Sequence, residues 1–196
     1  MNMKHIIFAC IGIFGMAQSV SAAPIVFDFN GNGGYMSGYS ETINGVTVNV
    51  SSSSTSATPL YQGTFGLGVS GGASAMNDFG ETLTFSFSPD EVKILNGLVV
   101  DPLRNSANVI FDLFGDGVLL GTFNVASTTS SYVFLNLGQY NWEATEFSFS
   151  AVSGSDQFGI KQLSVGVSEP TVLLLMGLGL LSMGIARTKR RKDSAA

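Results

Sequence analysis

Three groups of side chains in this sequence have types and spacings that could do chemistry. The first is Asp28-Phe-Asn30-Gly-Asn32-Gly33, in which oxygen-bearing side chains alternate before a glycine that permits a sharp turn. Calcium-binding loops begin with this pattern, so Asp28, Asn30 and Asn32 are candidate calcium ligands. The twelfth position of such a loop is normally glutamate but is Tyr39 here. The alternative interpretation is a strand that runs into an Asx turn.

The second group is the aromatic pair Tyr140 and Trp142, which are separated by one residue. In an extended segment, two such side chains lie on the same face. Flat aromatic side chains with polar edges can stack on sugar rings, so the pair is a candidate sugar-stacking site. Packing in the core or at its rim is the alternative for a lone tryptophan. Three further tyrosines fall in predicted loops and are weaker candidates: Tyr35, Tyr39 and Tyr61.

The third group consists of carboxylates. Glu143 with Glu146, or Asp78 with Glu81, could form the pair of acids that a glycosidase uses. Sequence spacing does not establish the separation that the reaction needs, so glycan hydrolysis remains an alternative function. Three other carboxylates could also contact calcium: Asp112, Asp116 and Asp156.

Strands would have to position all of these groups. Residues 46–50, 83–87 and 147–149 alternate apolar side chains with polar ones, mostly serine or threonine, which is the period of a strand with one buried face. Residues 109–114 and 118–125 flank an Asp-Gly turn and predict a hairpin. Further strands are predicted at 24–29, 132–137 and 158–165, with loops at 51–59 and 63–72.

These strands predict an all-β domain. We expect a single antiparallel β-sandwich of jelly-roll type over residues 23–166, with about nine or ten strands. Its core should contain five phenylalanines: Phe85, Phe87, Phe111, Phe147 and Phe149.

The first 22 residues have the three parts of a secretory signal peptide. A basic start at Lys4 precedes an apolar stretch and a run of small residues. We expect signal peptidase to cut between Ala22 and Ala23, because a cut after Ala23 would place Pro24 at the scissile bond. An uncleaved N-terminal anchor is the alternative.

Composition excludes several functions for the exported part. Cys10 and His5, the only cysteine and histidine, both lie in the signal peptide. Catalysis by Ser-His-Asp or Cys-His groups, disulfides, and zinc or copper sites built on imidazole or thiolate are therefore excluded. Carboxylates remain as acid–base or metal-binding groups. Residues 23–170 carry three cations against 13 acids, a formal balance of −10. Such a charge repels phosphate backbones and excludes nucleic acid as a partner.

The C-terminal region predicts a membrane segment. Residues 171–186 are uncharged and, as a helix, would span roughly 24 Å, somewhat less than the roughly 30 Å of a hydrocarbon core. A basic cluster follows and should stay on the cytoplasmic side. Its members are Arg187, Lys189, Arg190, Arg191 and Lys192. A buried core helix is the alternative, but it would need a polar face.

This C-terminal region, residues 167–192, resembles the PEP-CTERM sorting signal of Gram-negative bacteria, which is also labelled an ice-binding protein C-terminal domain. Glu169 and Pro170 match the last two letters of the Pro-Glu-Pro motif, and Ser168 stands where the first proline is usual. The resemblance implies that Ser168, Glu169 and Pro170 form the processing site of an exosortase in the inner membrane. It also implies a link to exopolysaccharide and biofilm export.

Together these features predict an exported, non-enzymatic protein of the cell surface or the exopolysaccharide matrix, without a required cofactor. It would pass through a single-span form in the inner membrane before it reaches the periplasm, surface or matrix. A carbohydrate-binding module that recognises extracellular polysaccharide is the first alternative, and a glycan-acting enzyme is the second.

Overall fold

A computed structural model describes residues 23–54, 56–57, 59–69, 80–102, 108–126, 132–153 and 157–167. Within these ranges the chain forms antiparallel strands and one 3₁₀ turn, Gly138–Tyr140. The strands are β1 Ile25–Asp28, β2 Gly34–Met36, β3 Tyr39–Ile43, β4 Val46–Ser52, β5 Leu60–Gly63, β6 Gly66–Val69, β7 Thr82–Ser88, β8 Lys93–Pro102, β9 Asn108–Gly115, β10 Val118–Ala126, β11 Val133–Asn136, β12 Glu143–Ala144, β13 Glu146–Ala151 and β14 Phe158–Val167.

The strands form two sheets. One contains eight of the described strands in the order β11-β8-β14-β6-β5-β2, with β1 also paired to β14 and β12 also paired to β8. The other contains six in the order β10-β9-β13-β7-β4-β3. The two sheets pack face to face as a sandwich, which confirms the predicted all-β, antiparallel class.

The core lies between the two sheets and is rich in phenylalanine. Phe27 of β1 packs against Phe87 of β7 with ring centroids 6.2 Å apart, and Phe111 of β9 packs against Phe158 of β14 at 5.0 Å. Each pair joins one sheet to the other. The five predicted core phenylalanines are all buried, as the strand alternation indicated.

Two tight hairpins follow from Asn-Gly and Asp-Gly pairs. The Asp116-Gly117 turn, with φ angles of 48° and 78°, joins β9 to β10 and confirms the predicted hairpin. Asn44 and Gly45, with φ angles of 51° and 79°, join β3 to β4 in the same way. Positive φ at both central residues gives the chain the twist that adjacent strands need.

Three parts of the sequence prediction were wrong in detail. More strands form than the nine or ten expected, since the described residues alone contain fourteen. The glycine-rich segment 63–72 was predicted as a loop, but Gly66–Val69 is the buried strand β6. Tyr35, Tyr39 and Tyr61 were also assigned to loops, whereas they lie in β2, β3 and β5. Glycine has little strand preference, so pairing with neighbouring strands decided these segments.

The predicted signal peptide, residues 1–22, and the predicted membrane and basic segments, 171–186 and 187–192, lie outside the described residues. Within the part of the chain that is described, no helix has the length and apolar character needed to cross a membrane.

Candidate functional site

The predicted calcium loop begins at the end of β1 and is closed by its own hydrogen bonds. Asp28 Oδ1 accepts hydrogen bonds from the Asn30 N–H at 3.0 Å and from Asn30 Nδ2 at 2.5 Å. Gln162 Nε2 donates to Asp28 Oδ2 at 3.3 Å. This is the Asx turn given above as the alternative. Asn30 turns its amide nitrogen, which is no metal ligand, toward the carboxylate.

These contacts favour the ionised form of Asp28. Burial would raise the pKa of Asp28, but the hydrogen bonds from Asn30 and Gln162 and the charge of Lys161 outweigh it and lower the pKa below its ordinary value. Asn32 is exposed. The described residues contain no group of three or more His, Cys, Asp or Glu side chains placed to hold a metal. Calcium binding by this loop stays a prediction.

Two other candidate carboxylates have hydrogen-bond partners in the protein. Asp112 Oδ1 accepts from Thr122 Oγ1 at 2.6 Å across the β9–β10 pair. Asp116 Oδ1 accepts from the N–H and the hydroxyl of Thr145, at 3.0 and 2.8 Å, and from the N–H of Glu146 at 3.0 Å. Asp116 therefore ties the β9–β10 hairpin to the start of β13. Asp156 lies outside the described residues.

Of the two proposed glycosidase pairs, only Glu143 and Glu146 are both described, and they lie on different sheets. Glu143 is on β12, which belongs to the eight-stranded sheet, and Glu146 is on β13, which belongs to the six-stranded sheet. Thr145 is the single residue at which the chain passes from one sheet to the other. Asp78, the partner suggested for Glu81, lies outside the described residues.

Tyr140 and Trp142 do not lie side by side on an extended segment as predicted. Tyr140 ends the 3₁₀ turn, and Asn141 has a left-handed backbone with φ 49°. This turn stacks the two rings on each other, with centroids 4.4 Å apart and planes 9° apart. Trp142 is partly buried, with its ring edge against Phe123 at 5.9 Å. Tyr140 is 49% exposed and presents the outer surface of the stack.

A second aromatic surface lies on the outer face of the eight-stranded sheet. A shallow groove of about 220 Å³ crosses strands β1, β14, β8 and β11. We call it the outer-face groove. Its lining includes Val26, Gly97, Val99, Phe134, Gln162 and Ser164.

Strand register explains the concave shape of the outer-face groove. Val26 pairs with Ser164, Ser164 with Gly97, and Gly97 with Asn136, so these four residues form one row across the sheet. The small residues Ser164 and Gly97 occupy the middle of that row. The longer side chains of Val26 and Asn136 stand at its two ends. The row therefore forms a trough in an otherwise continuous sheet surface.

The neighbouring row supplies an aromatic ring and an amide. Asp28 pairs with Gln162, Gln162 with Val99, and Val99 with Phe134. Phe134 lies over Gly97, where an added Cβ would stand 3.1 Å from the ring. The residue is nevertheless 63% exposed, so a broad part of the ring faces solvent.

A tyrosine and an ion pair lie next to the outer-face groove. Tyr132, two residues before Phe134, is 56% exposed. Lys161 Nζ lies 5.4 Å from the centre of the Tyr132 ring and 3.2 Å from Asp101 Oδ2. The pairing of β14 with β8 shifts register between Ile160 and Gln162, and this bulge sets Lys161 beside Asp101.

The sequence carried a signal for this site that the sequence analysis missed. Residues 132–137, Tyr-Val-Phe-Leu-Asn-Leu, were predicted as a strand. The same alternation puts Tyr132, Phe134 and Asn136 on one face and three aliphatic side chains on the other. Two aromatic residues facing solvent on one strand are a binding signal that the alternation alone could have given.

The remaining predicted site residues fall mostly outside the described part of the chain. Ala23 is the first described residue and is exposed. Its neighbour across the predicted cleavage site, Ala22, is not described. The same holds for Ser168, Glu169 and Pro170 and for the basic residues from Arg187 to Lys192.

Comparison with solved structures gives weak similarity to chains that contain CBM32 domains. No family model and no curated protein matches the chain. A truncated AlyQ with CBM32 and alginate lyase domains is 9% identical, with a TM-score of 0.37 over 76% of this chain and 35% of that one. This chain thus spans about a third of that protein's length.

Two further solved structures give lower scores. CBM32-3 from a family 31 glycoside hydrolase of Clostridium perfringens is 14% identical, with a TM-score of 0.31 over 63% of this chain and 76% of that one. GH31 CBM32-2 bound to GalNAc is 12% identical, with a TM-score of 0.30 over 76% of this chain and all, 100%, of that one. All three TM-scores lie below 0.5, a level at which the similarity has no bearing on ligand or site.

Proposed function

We propose that this chain is an exported, non-enzymatic protein of the cell surface or exopolysaccharide matrix, and that its sandwich binds glycan at the outer-face groove. The observation that carries the proposal is the exposed ring of Phe134, 63% exposed beside a concave strip of sheet. Large exposed aromatic residues beside a concavity are characteristic of binding surfaces. A jelly-roll connectivity for the sandwich belongs to the same proposal.

The groups around Phe134 suit a sugar. A sugar ring has apolar C–H faces that pack on an aromatic ring and hydroxyl groups at its edge. Ser164 supplies a hydroxyl, and Gln162 supplies an amide whose Nε2 already donates to Asp28. The remaining N–H and the carbonyl oxygen of Gln162 can both pair with sugar hydroxyls.

A non-enzymatic role is supported by how the carboxylates are used. Asp101 forms an ion pair with Lys161, and Asp112 and Asp116 accept hydrogen bonds from neighbouring strands. General acid–base catalysis would need a carboxyl group within reach of the substrate proton. The groups just named instead hold strands and turns together.

Binding can be tested with the secreted protein and an array of immobilised polysaccharides. We expect the wild-type chain to bind at least one glycan and Phe134→Ala to weaken that binding about tenfold or more, as for the loss of a central aromatic anchor. Tyr35→Ala is the matched control, since Tyr35 is an exposed tyrosine, 65% exposed, on β2 of the same sheet. Equal losses for the two variants, or no binding by the wild type, would contradict the proposal.

The stacked pair Tyr140 and Trp142 is a second candidate surface for the same function. Trp142 holds the Tyr140 ring in a fixed orientation, which lowers the entropy cost of binding. Tyr140→Ala therefore belongs in the same experiment. A loss confined to Tyr140→Ala would move the site from the outer-face groove to this pair.

Export and sorting form the other part of the proposal. Support comes from the sequence of residues 1–22 and from the order of motif, apolar segment and basic cluster in residues 167–192. Signal peptidase would remove the first segment, and an exosortase would act at Ser168, Glu169 and Pro170. The mature protein would then be released from the inner membrane.

Mass spectrometry of the native protein separates the possible outcomes. We expect an N-terminus at Ala23 and, in the extracellular fraction, a C-terminus close to Pro170. A full-length C-terminal peptide containing Lys192 and found only in membranes would contradict processing. It would instead make residues 171–192 a retained anchor.

A further inference from the structure

We infer that the outer-face groove takes an uncharged glycan and holds one of its sugar rings on Phe134. The inference rests on the proposed function and adds the class of ligand. It follows from the charges around the groove, from the polar groups that line it and from its size.

A carboxylate lies at one end of the groove, on a domain of negative charge. Residues 23–170 have a formal balance of −10. Asp28 lies at the end of the row that contains Gln162, Val99 and Phe134. Like any aspartate whose pKa is at or below the ordinary value of 3.8, it is ionised at neutral pH. A uronate or sulfate group in the groove would therefore meet a repulsive field.

The cations of the described part of the chain offset this field only in part, although the charge of Lys161 does act on Asp28. Lys93 is fully buried, and its Nζ lies 3.0 Å from the carbonyl oxygen of Glu91. Lys161 borders the groove region but is paired with Asp101 at 3.2 Å. An acidic sugar would have to compete with a carboxylate that is only 3% exposed and already in place. Lys161 is therefore poorly placed to bind the anionic group of a sugar.

The lining matches hydroxyl groups instead. An amide and a hydroxyl each offer a donor and an acceptor, as a sugar hydroxyl does. Gln162 and Ser164 lie in adjacent rows, on the same face as Phe134. A ring stacked on Phe134 could reach both with its edge hydroxyls.

The size of the groove limits how much of a chain it can hold. Its volume of about 220 Å³ is below the range of roughly 300–1,000 Å³ that encloses drug-sized ligands. The space suits one sugar ring. Because the groove is an open trough, the rest of a polysaccharide can continue past it on either side.

The test is titration of the secreted chain with dextran, a neutral polymer, and with polygalacturonate, an acidic one, at low and high salt. We expect binding to the neutral polymer that hardly changes with salt, and binding to the acidic polymer that is at least about tenfold weaker at low salt. Phe134→Ala should weaken the affinity for the neutral polymer about tenfold or more. A panel of other neutral glycans extends the test if dextran lacks the right linkage.

Two further variants keep the result interpretable. Gly97→Ala places a Cβ 3.1 Å from the Phe134 ring, so that the ring must shift by a few tenths of an ångström. Gly121→Ala, by contrast, meets Trp142 at an ordinary 3.4 Å. We expect only the first to weaken binding. Thermal unfolding confirms that each variant is folded.

The outcomes distinguish failure of the uncharged-ligand inference from failure of the proposed function. Tighter binding to polygalacturonate than to every neutral glycan, lost at high salt, would overturn the uncharged-ligand inference and leave glycan binding in place. Binding to neither class would overturn the proposed function as well. Neutral binding that Phe134→Ala and Gly97→Ala leave unchanged would overturn the assignment to this groove.

Discussion

The outer faces of the two sheets differ sharply, although the strands beneath them share one core. On the six-stranded sheet, strands β3, β4, β7 and β13 present mostly serine and threonine to solvent. We call this surface the hydroxyl face. Its hydroxyl side chains are Ser40, Thr42, Thr47, Ser51, Thr82, Thr84, Ser86, Ser88, Ser148 and Ser150. The eight-stranded sheet instead carries the outer-face groove, with exposed aromatic residues and an ion pair.

Several polar groups of the hydroxyl face pair with each other. Thr42 and Thr47 share a hydrogen bond of 2.7 Å between their hydroxyls, and Thr84 and Ser148 share one of 3.0 Å. Short side chains that pair across strands form a flat, well-hydrated surface. Such a surface offers little apolar area to a ligand. The comparison teaches that two sheets over one core can carry outer faces of different chemistry, one rich in hydroxyl groups and one with exposed aromatic rings beside a groove.

The first prediction concerns the ion pair of Lys161 and Asp101 on the eight-stranded sheet, where we expect the largest change in the free energy of unfolding. Asp101→Ala leaves Lys161, whose side chain is 15% exposed, without its partner at 3.2 Å. Loss of one member of a buried pair costs about 3–5 kcal/mol. Urea unfolding of the variant should show a decrease of this size in the free energy of unfolding. The double variant Asp101→Leu with Lys161→Met should recover much of it, because no charge is then left unpaired.

This result would sharpen the difference between the faces. A loss for Asp101→Ala below about 1 kcal/mol is what an exposed surface pair would give. The ion pair would then contribute as little to the free energy of unfolding as the contacts of the hydroxyl face. The two faces would not differ in this respect.

The second prediction concerns the end of the six-stranded sheet. Asp116→Ala removes the acceptor of three hydrogen bonds from Thr145 and Glu146 and places alanine at a φ of 48°. We expect a loss of about 1–2 kcal/mol in the free energy of unfolding. Asp116→Asn, which tolerates the left-handed backbone and keeps one acceptor, should lose less.

Equal losses for the two substitutions would mean that the negative charge of Asp116, which both variants remove, matters more to this turn than its backbone conformation. No loss in either would contradict the role given to Asp116. In that case the stability of the six-stranded sheet would not depend on a polar contact at its end.

The two faces also differ in how far the sequence predicted them. The hydroxyl face could be predicted, because residues 83–87 and 147–149 keep a strict period of two. Strand β8 was missed because register shifts between Leu95 and Gly97, so its apolar residues fall out of phase. Alternation identifies a strand only while the period is unbroken.

The outer-face groove could not be predicted as a site for a different reason. Val26, Gly97, Phe134 and Ser164 come from four strands that are far apart in the chain, and only strand order brings them together. The alternation of residues 132–137 could have marked Phe134 as exposed, but nothing in the sequence placed Gly97 beneath it. For Tyr140 and Trp142 the sequence suggested one face of a strand. The left-handed Asn141 stacked them instead.

The third prediction is a pH dependence that belongs to the eight-stranded side. Because the pKa of Asp28 is lowered from its ordinary value of 3.8, its ionised form stabilises the folded state. That contribution is complete above pH 3.8 and is lost as the pH falls through the folded-state pKa. The effect should be smaller than the two above, since Asp28 is exposed to solvent.

Unfolding of wild type and Asp28→Asn, compared from neutral pH down to about pH 3, measures this contribution. We expect the wild type to be the more stable at neutral pH and the difference to shrink in acid. A difference that is constant with pH would mean that Asp28 acts through its shape and not its charge. The hydroxyl pair Thr84 and Ser148 has no titratable group, so Ser148→Ala serves as the pH-independent control.

The last prediction tests the hydroxyl face itself. Thr84→Ala removes one partner of the 3.0 Å contact with Ser148, on a partly exposed surface where water can replace the lost group. We expect a change in unfolding free energy within about 0.5 kcal/mol and no change in glycan binding. The measurement is urea unfolding together with the dextran titration, with Phe134→Ala run beside it. If Thr84→Ala weakened binding as much as Phe134→Ala, the ligand would have to contact the hydroxyl face, and the division between the two faces would be wrong. If Thr84→Ala changed neither quantity while Phe134→Ala weakened binding, the ligand would contact the face that carries the aromatic residues, because both variants remove a side chain from the outside of the same sandwich.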